Sequence, residues 1–371
     1  MADQEGRGGL CTPTRWRLIA SGVLLTACPL LVLLFERFGE ALSGGYRPFS
    51  KGLLSLQATV ASVAPFALWD FLVVGLALAA LFTLVRRVVR RRPLLPWLSV
   101  VLLVSSATLF LFVSGWALNH YAPSLANEIG LEVGAYTDDE LAATTRHYLE
   151  RAAALAPSVP RGEDGELLRQ DFYELARIAG GSYRELSESY GIFEGSQVPV
   201  KALLLLGEPL LLSGHVGIFF SPTGESSVPV NCAVADLPFT MCHEAAHRLA
   251  IAREQEANFA AFLACTTSDD VRFSYSGYYS AFSFCYGALR RSDPDRAARL
   301  LDEVRTSGLD AGVGLVLADL VATGRHYDAY EGWFGRIGSA VNDGYLRSFG
   351  EREGVKSYGL VVDYLIAWDR R

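Results

Sequence analysis

The chain has 371 residues, of which 51% are hydrophobic, and its mean hydropathy is +0.24. This is more apolar than a soluble globular domain with 20% charged residues should be, and the excess is concentrated in the first third. The net charge is −7 although the first third is rich in arginine, so the remainder is acidic, which argues against nucleic acid as a partner.

Three apolar stretches predict transmembrane helices at about 18–35, 68–86 and 94–118. Each stretch is long, has no charge at its centre and is flanked by arginine or tryptophan, a pattern typical of membrane spans rather than of buried core helices. We therefore expect a membrane domain over residues 1–120 and an extracytoplasmic domain over residues 121–371, in a multi-pass protein of the cell membrane.

The basic residues predict the orientation of these spans. The short link between the second and third spans carries five arginines, Arg86, Arg87, Arg90, Arg91 and Arg92. The longer link between the first two spans carries only Arg37, Arg47 and Lys51. Because cytoplasmic loops are enriched in Lys and Arg, the arginine cluster and the amino terminus are predicted to be cytoplasmic.

The first link contains Leu53, Leu56 and Val60 at helical spacing. Such a segment can lie along the membrane surface or pack against the outer domain, and the sequence leaves both possibilities open.

The outer domain is predicted to be mainly helical with a small β-sheet. Thr137 and Glu140 form a capping-box pattern that begins a helix reaching about Leu155. Short apolar runs separated by Gly and Pro over residues 200–231 indicate strands, with 217–220 and 227–231 as candidates for pairing with an extended substrate. Pro229 suggests that the second of these is an edge strand, and a hairpin without a substrate role is the alternative.

The sequence His243-Glu244-Ala245-Ala246-His247 is an HExxH motif. On a helix, residues four apart share a face, so the two imidazoles can bind one metal ion while Glu244 lies beside it. Zinc lowers the pKa of a water molecule that it binds towards about 7, which makes a nucleophile available at neutral pH. The motif predicts one Zn²⁺ ion and metal-assisted hydrolysis, most often of a peptide bond, with Glu244 as the general base.

A third ligand is predicted seven residues after the motif. If Glu254 begins a second helix, Asn258 shares its face, so the carboxylate can bind zinc while the amide supports a ligand by a hydrogen bond. Glu256 is the alternative ligand. The chain must turn between His247 and Glu254, and it has Ala250 at a point where many metal-binding sequences have glycine. A solvated amphipathic helix without metal is the alternative interpretation of the whole stretch.

Other polar residues are candidates for supporting roles. A tyrosine near the metal could stabilise an oxyanion, which makes Tyr275 and Tyr278 candidates, although tyrosine is also a common core residue. His326, Tyr345 and Tyr358 are further candidates for the second shell or the oxyanion site. Four cysteines, Cys232, Cys242, Cys265 and Cys285, fall in the outer domain, where three pairings are possible.

Several segments together resemble a known family. They are the three spans, YRPFSKGLLSL, WALNHYAP, LPFTMCHEAAH with REQEANFAAFLAC, FSYSGYY, VNDGYLRSF and GVKSYGLVVDYLIAW. This combination resembles the bacterial membrane family catalogued as domain of unknown function 3810, over nearly the whole chain. The resemblance implies a zinc-metallopeptidase-like site of the glutamate-zincin type, with no known substrate. That family usually has glycine at the position of Ala250.

The sequence therefore predicts a membrane-anchored zinc metallopeptidase with a zincin-like outer domain, acting on a peptide or protein outside the cytoplasm. The alternative from another functional class is a non-catalytic envelope module, for binding or sensing, in which zinc only stabilises the fold. A structural zinc site would close its fourth position with a protein ligand, whereas a catalytic one leaves it open.

Overall fold

The computed structural model describes residues 12–332, 335–336, 338, 340, 343–344, 349 and 360–371. Its helices are α1 (Thr12–Ala61), α2 (Leu68–Val89), α3 (Leu95–Gly115), α4 (Leu125–Ile129), α5 (Asp138–Leu155), α6 (Phe172–Gly181), α7 (Arg184–Ser189), α8 (Gly207–Leu212), α9 (Leu237–Arg248), α10 (Glu254–Thr266), α11 (Val271–Ser292), α12 (Pro294–Val304), α13 (Asp310–Asp328) and α14 (Val361–Asp369). Its strands are β1 (Lys201–Leu203), β2 (Ile218–Phe220) and β3 (Glu225–Pro229). The prediction of a mainly helical protein with a small sheet is confirmed.

Helix α1 is bent sharply at Phe38, whose backbone is not helical (φ −130°, ψ 16°). The rings of Phe35 and Tyr46 are in contact, with centroids 4.9 Å apart, whereas eleven residues of a straight helix span about 16 Å. Gly39 permits this turn because a Cβ there would lie 2.6 Å from the carbonyl oxygen of Tyr121. We call residues 39–61, the part of α1 beyond the bend, the link helix.

Within the described residues, four helical segments are long and apolar enough to cross a membrane: Thr12–Ala61, Leu68–Val89, Leu95–Tyr121 and Pro294–Asp328. The first three contain the predicted spans. The fourth was not predicted as a span, and its Val313 and Val316 are buried in the core of the helical domain. Its buried Asp319 is held by the guanidinium of Arg161, with N to O distances of 2.7 and 3.0 Å.

The sheet has the order β1-β3-β2. Strands β1 and β3 are parallel, with Leu203 opposite Pro229, and β2 and β3 are antiparallel, with Phe220 opposite Glu225. The prediction that Pro229 marks an edge strand was wrong, because β3 is central. Pro229 is the last residue of its strand, where a missing N–H leaves the ladder before it intact. The edge of the sheet that lies next to α9 belongs to β2.

Buried polar contacts join the sheet to the segment that follows the link helix. The carboxylate of Glu225 accepts hydrogen bonds from the backbone N–H groups of Leu68 (2.8 Å) and Trp69 (3.1 Å), at the start of α2. The carboxylate of Asp70 accepts three more from the backbone of residues 204–206. These groups are buried, so removing either acid would leave unpaired donors in the interior. The apolar helices and the sheet therefore form one packed unit.

In the part of the chain that follows α3, α5 packs between α11 and α13. Its start confirms the predicted capping box: the backbone N–H of Glu140 donates to Thr137 Oγ1, and the Glu140 carboxylate accepts from the Thr137 backbone. Helices α9, α10 and α11 pack on one another and complete the core.

Candidate metal centre

Helix α9 places the HExxH motif against the sheet. It begins at Leu237 with Pro238 in its first turn, where the missing N–H is not needed. The hydroxyl of Ser226 in β3 donates to the backbone carbonyl of Glu244 at 2.6 Å, which fixes the helix on the strand. Because residues four apart share a helical face, the rings of His243 and His247 lie side by side, with centroids 4.7 Å apart.

The chain returns to the metal ligands through a tight turn at Ala250. Its φ is +63°, a left-handed conformation in which a glycine has no Cβ penalty. The alanine therefore takes a conformation that glycine adopts more readily, and the turn forms here without a glycine. Helix α10 then begins at Glu254, which confirms the predicted start of the second helix.

The three predicted ligands converge on one point. The Nε2 atoms of His243 and His247 are 3.1 Å apart, and the carboxylate of Glu254 lies 3.2 Å from the first and 3.8 Å from the second. These three residues form a group that could hold a metal ion. Donor atoms about 2.0–2.1 Å from a tetrahedral zinc ion are about 3.3 Å from one another, which is close to the 3.1 Å between the two Nε2 atoms and to the 3.2 Å from His243 Nε2 to Glu254 Oε2.

The other ring nitrogens fix the orientation of both imidazoles. His247 Nδ1 lies 2.8 Å from the carbonyl oxygen of Ile251, which can only accept, so this nitrogen carries the proton. His243 Nδ1 lies 2.9 Å from Asn258 Oδ1 and donates to it in the same way. Both Nε2 atoms therefore face the space beside Glu254, where each offers a lone pair when it carries no proton, as metal-binding histidines do. Asn258 has the supporting position that its spacing from Glu254 predicted.

The titration properties follow from burial and from the close pair of opposite charges. Burial alone would raise the pKa of Glu254, but His247 and His243 lower it to about 2. Burial lowers the pKa of His247 to about 4. Burial also acts to lower the pKa of His243, but the contact between His243 and Glu254 outweighs it, and the pKa of this ring is raised. The centre of the site thus favours one positive charge, which a proton on His243 or a metal ion can supply.

Glu244 lies beside the three ligands. Its side chain is buried, and its Oε2 atom has no hydrogen-bond partner among the described residues. Burial raises the pKa of this carboxyl to about 8. A Cβ on Gly217 would lie 2.4 Å from Glu244 Oε1, so the backbone just before β2 forms a wall against the carboxylate. A buried carboxyl oxygen without a protein partner is costly to leave unpaired, which makes Glu244 a candidate for contact with a bound group.

Three further residues reach the site that the sequence analysis did not single out. The indole N–H of Trp116 donates to the carbonyl of His247 at 3.0 Å, and its ring meets that histidine edge-on at 5.7 Å. His120 is buried beside Trp116, and a charge on it lowers the pKa of Glu254. His215 has its Nδ1 3.0 Å from Ser213 Oγ. Burial lowers the pKa of its ring, and the nearby charge of Glu254 offsets part of that lowering. The signal that the sequence offered for these residues was the scarcity of histidine. The chain has six, and His120 and His215 lie next to predicted elements.

The structure places the other candidates elsewhere. Tyr275 is buried and donates to Asp319, and Tyr278 accepts from Arg151 at 3.2 Å. The ring of His326 contacts those of Tyr327 and Tyr330. Glu256 pairs with Arg253 at 2.8 Å and accepts from Tyr364, so it is occupied away from the two imidazoles.

Two candidates, Tyr345 and Tyr358, lie outside the described residues. The four cysteines of the outer domain, Cys232, Cys242, Cys265 and Cys285, are buried free thiols. Cys242 precedes a metal ligand in sequence, but its sulfur lies 3.5 Å from the hydroxyl of Ser182, away from the ligand face of α9.

Comparison with known families gives one match, over residues 46–366, to the family described as protein of unknown function DUF3810. The chain belongs to this family. No curated protein and no solved structure matches it. The DUF3810 match begins in the link helix and ends in α14, so it includes Trp116, the HExxH helix, Glu254 and the sheet.

Proposed function

We propose that this DUF3810 protein is a membrane-anchored, zinc-dependent peptidase with a zincin-like site. The observation that carries the proposal is the convergence of two imidazole lone pairs and one carboxylate, 3.1–3.8 Å apart, with a buried unpartnered glutamate beside them. His243, His247 and Glu254 would hold the ion. Zinc bound there supplies a Lewis acid and lowers the pKa of water.

Glu244 performs the proton transfers in this proposal. Its carboxylate accepts a proton from the attacking water as the water oxygen bonds to the scissile carbonyl carbon. It then gives that proton to the amide nitrogen, the C–N bond breaks, and the products are a carboxylate and an amine. Burial raises the pKa of this carboxyl to about 8, and a divalent ion held beside it would lower that pKa, so that Glu244 would then be ionised and able to accept the proton. The wall at Gly217 keeps the carboxylate near the reacting atoms.

Strand β2 is the element we propose for binding the substrate backbone. It pairs with β3 on one side and is the edge of the sheet on the other, and Gly217 immediately before it touches Glu244. An extended peptide that adds to this edge by main-chain hydrogen bonds would pass beside the metal ligands. Such binding recognises peptide backbone, which is why we favour peptides over other hydrolysable substrates.

We further propose that α1, α2 and α3 anchor the protein as three spans with the metal centre on the outer side. The apolar helices are compatible with membrane association. The arginine cluster between α2 and α3 supports a cytoplasmic position for that link. Labelling of a single introduced cysteine at Gly134 and at Arg90 in intact cells tests this orientation, because only the outer position should react with an impermeant reagent.

Three variants of the full-length protein test the proposed activity: Glu254→Gln, Glu244→Gln and, as a matched control, the exposed Glu185→Gln. We expect wild type and the control to bind one zinc ion per chain and to cleave members of a peptide library. Glu254→Gln should lose zinc, because an amide is a poorer ligand than a carboxylate. Glu244→Gln should keep zinc while kcat falls by about 10²–10⁴-fold.

Zinc content is read by elemental analysis and cleavage by mass spectrometry of the library. Full zinc occupancy without cleavage of any peptide by wild type would favour the non-catalytic zinc module instead. Absence of zinc from the wild-type protein would refute the proposed metal centre.

A further inference from the structure

The end of an apolar helix contacts the metal centre directly. Helix α3 ends at Gly115, and the next residue, Trp116, donates its indole N–H to the carbonyl of His247. The same indole ring lies 5.6 Å from Phe219 in β2, the strand proposed to bind substrate. Trp116 therefore lies between the end of α3 and two parts of the proposed site, the metal ligand His247 and the substrate-binding strand β2.

A second contact ties the ligand helix to the same point. The guanidinium of Arg253, the residue before Glu254, donates to the backbone carbonyls of His120 and Ala122 at 2.8 Å each. These carbonyls lie within seven residues of the end of α3. Both metal-ligand helices, α9 and α10, are thus fixed to the end of α3, which leaves little freedom for the site to stand away from the membrane.

The link helix carries an uncovered apolar stripe. Phe49, Leu56 and Val60 recur at spacings of seven and four residues, which places them on one helical face, and they are 60%, 64% and 66% exposed. On the opposite face, Leu54 and Ala58 are 1% exposed. Leu54 packs with the end of α3 and with Phe219, and the backbone of Ala58 lies against Gly224, just before β3. The packed face agrees with the second alternative of the sequence analysis, packing against the rest of the protein, whereas a position of the exposed face along the membrane surface stays a prediction.

Continuity with the neighbouring helices identifies what covers this stripe. The link helix begins at the bend that ends one apolar helix and leads, seven residues after Ala61, into another, α2. If α1 and α2 are spans, both ends of the link helix are at the same bilayer surface. An amphipathic helix in that position lies in the interface with its apolar face among the lipids. The stripe contains no charged residue that would oppose this.

On the basis of the proposed function, we propose that the metal centre opens at the outer bilayer surface and that its substrates are the juxtamembrane segments of membrane-anchored proteins. The link helix holds the outer domain flat on the lipid through Phe49, Leu56 and Val60. The α3 end sets the height of the site through Trp116. A segment that leaves the membrane beside β2 then reaches Glu244 after only a few residues.

A linker series measures the height of the site. The full-length protein is reconstituted in phosphatidylcholine vesicles, and a peptide that it cleaves in detergent is attached to a palmitoyl anchor through Gly-Ser linkers of 3 or 30 residues. A 3-residue linker reaches about 10 Å, whereas the effective concentration of a peptide on a flexible linker falls roughly as the −3/2 power of its length. For a site at the surface, the short-linked peptide should be cleaved at least about tenfold faster. Faster cleavage of the long-linked peptide would overturn the proposal.

Variants of the stripe separate docking from catalysis. Leu56→Ser combined with Val60→Ser should leave kcat/KM for the free peptide in detergent unchanged and reduce cleavage of the short-linked peptide in vesicles by about tenfold. The matched control, Leu168→Ser, removes an exposed leucine outside the link helix and should change neither rate. Equal rates for the double variant and wild type in vesicles would contradict a role for the stripe.

A measurement without catalysis decides the placement if no peptide is cleaved. An environment-sensitive fluorophore is attached at Val60→Cys or, as a control, at the exposed Ala143→Cys on α5, both in a Cys11→Ser background. Spin-labelled lipid should quench the fluorophore at position 60 and leave the one at position 143 unaffected. Absence of quenching at position 60 overturns the proposal. Quenching without cleavage or zinc would retain the surface position of the domain and refute the proposed function, and with it the substrate class.

Discussion

Gly217→Ala tests the geometry of the proposed site most directly, because it adds one methyl group next to one carboxylate. In the structure, the new Cβ would lie 2.4 Å from Glu244 Oε1 and 2.8 Å from its Cγ and Cδ atoms. An ordinary carbon to oxygen contact is about 3.3 Å, so the carboxylate must move by about 1 Å. Gly217 has no positive φ, so the alanine itself adds no backbone strain.

The expected effect is large on catalysis and small on folding. Misplacing a catalytic group by about 1 Å costs about 10²-fold in rate, which corresponds to about 2.7 kcal/mol in the barrier. The clash is with the end of a side chain, so we expect the free energy of unfolding to change by less than about 2 kcal/mol. The side chains proposed to bind zinc, His243, His247 and Glu254, do not meet the new methyl group, so zinc affinity should stay within a few fold of wild type.

The assay compares kcat for a cleaved peptide, zinc content and thermal unfolding in detergent. Gly134→Ala is the matched control, since a Cβ there has no atom within 4 Å and the residue has no positive φ. Wild-type kcat in Gly217→Ala would refute the reasoning, because it would mean that the position of the Glu244 carboxylate does not matter. Loss of zinc would show instead that the wall before β2 supports the ligands.

Three further predictions concern single contacts. Asn258→Ala removes the acceptor for His243 Nδ1 and should weaken zinc binding by about 10–100-fold in a chelator competition, with unchanged affinity contradicting the supporting role. Ala250→Gly should change the free energy of unfolding by less than about 1 kcal/mol, since relief of the left-handed φ is offset by the loss of a buried methyl group. Ala250→Val should destabilise the protein by about 2 kcal/mol or more. Equal effects of the two variants in denaturant titrations would refute this prediction. The hydrogen bond with Asp369 raises the pKa of His147, so the pair stabilises the protein at low pH, and this stabilisation is lost as the pH rises through the raised pKa. His147→Gln should therefore destabilise the protein at pH about 5.5 and not at about 8.5. A destabilisation that does not depend on pH would contradict the prediction.

The sequence determined those parts of the site that depend on local spacing. His243 and His247 share a face because they are four residues apart on a helix, and Asn258 follows Glu254 at the same interval. The capping box at Thr137 and the start of α10 are equally local, since each depends on residues within one turn. The turn at Ala250 brings Glu254 back towards the two histidines without a glycine, because a single left-handed residue is enough for the turn.

Only the tertiary structure decided which distant residues join these ligands. Trp116 is 131 residues from His247, and nothing in either local sequence specifies their hydrogen bond. Tyr275 belongs to a tyrosine-rich run but reaches Asp319, because the packing of both α11 and α13 on α5 sets its direction. Pro229 predicted an edge strand, yet β3 is central, and this is possible because Pro229 is the last residue of the strand, where no backbone N–H donor is needed. Helical faces follow from the period of the backbone, whereas partners across the core follow from how whole elements pack, which no short stretch of sequence contains.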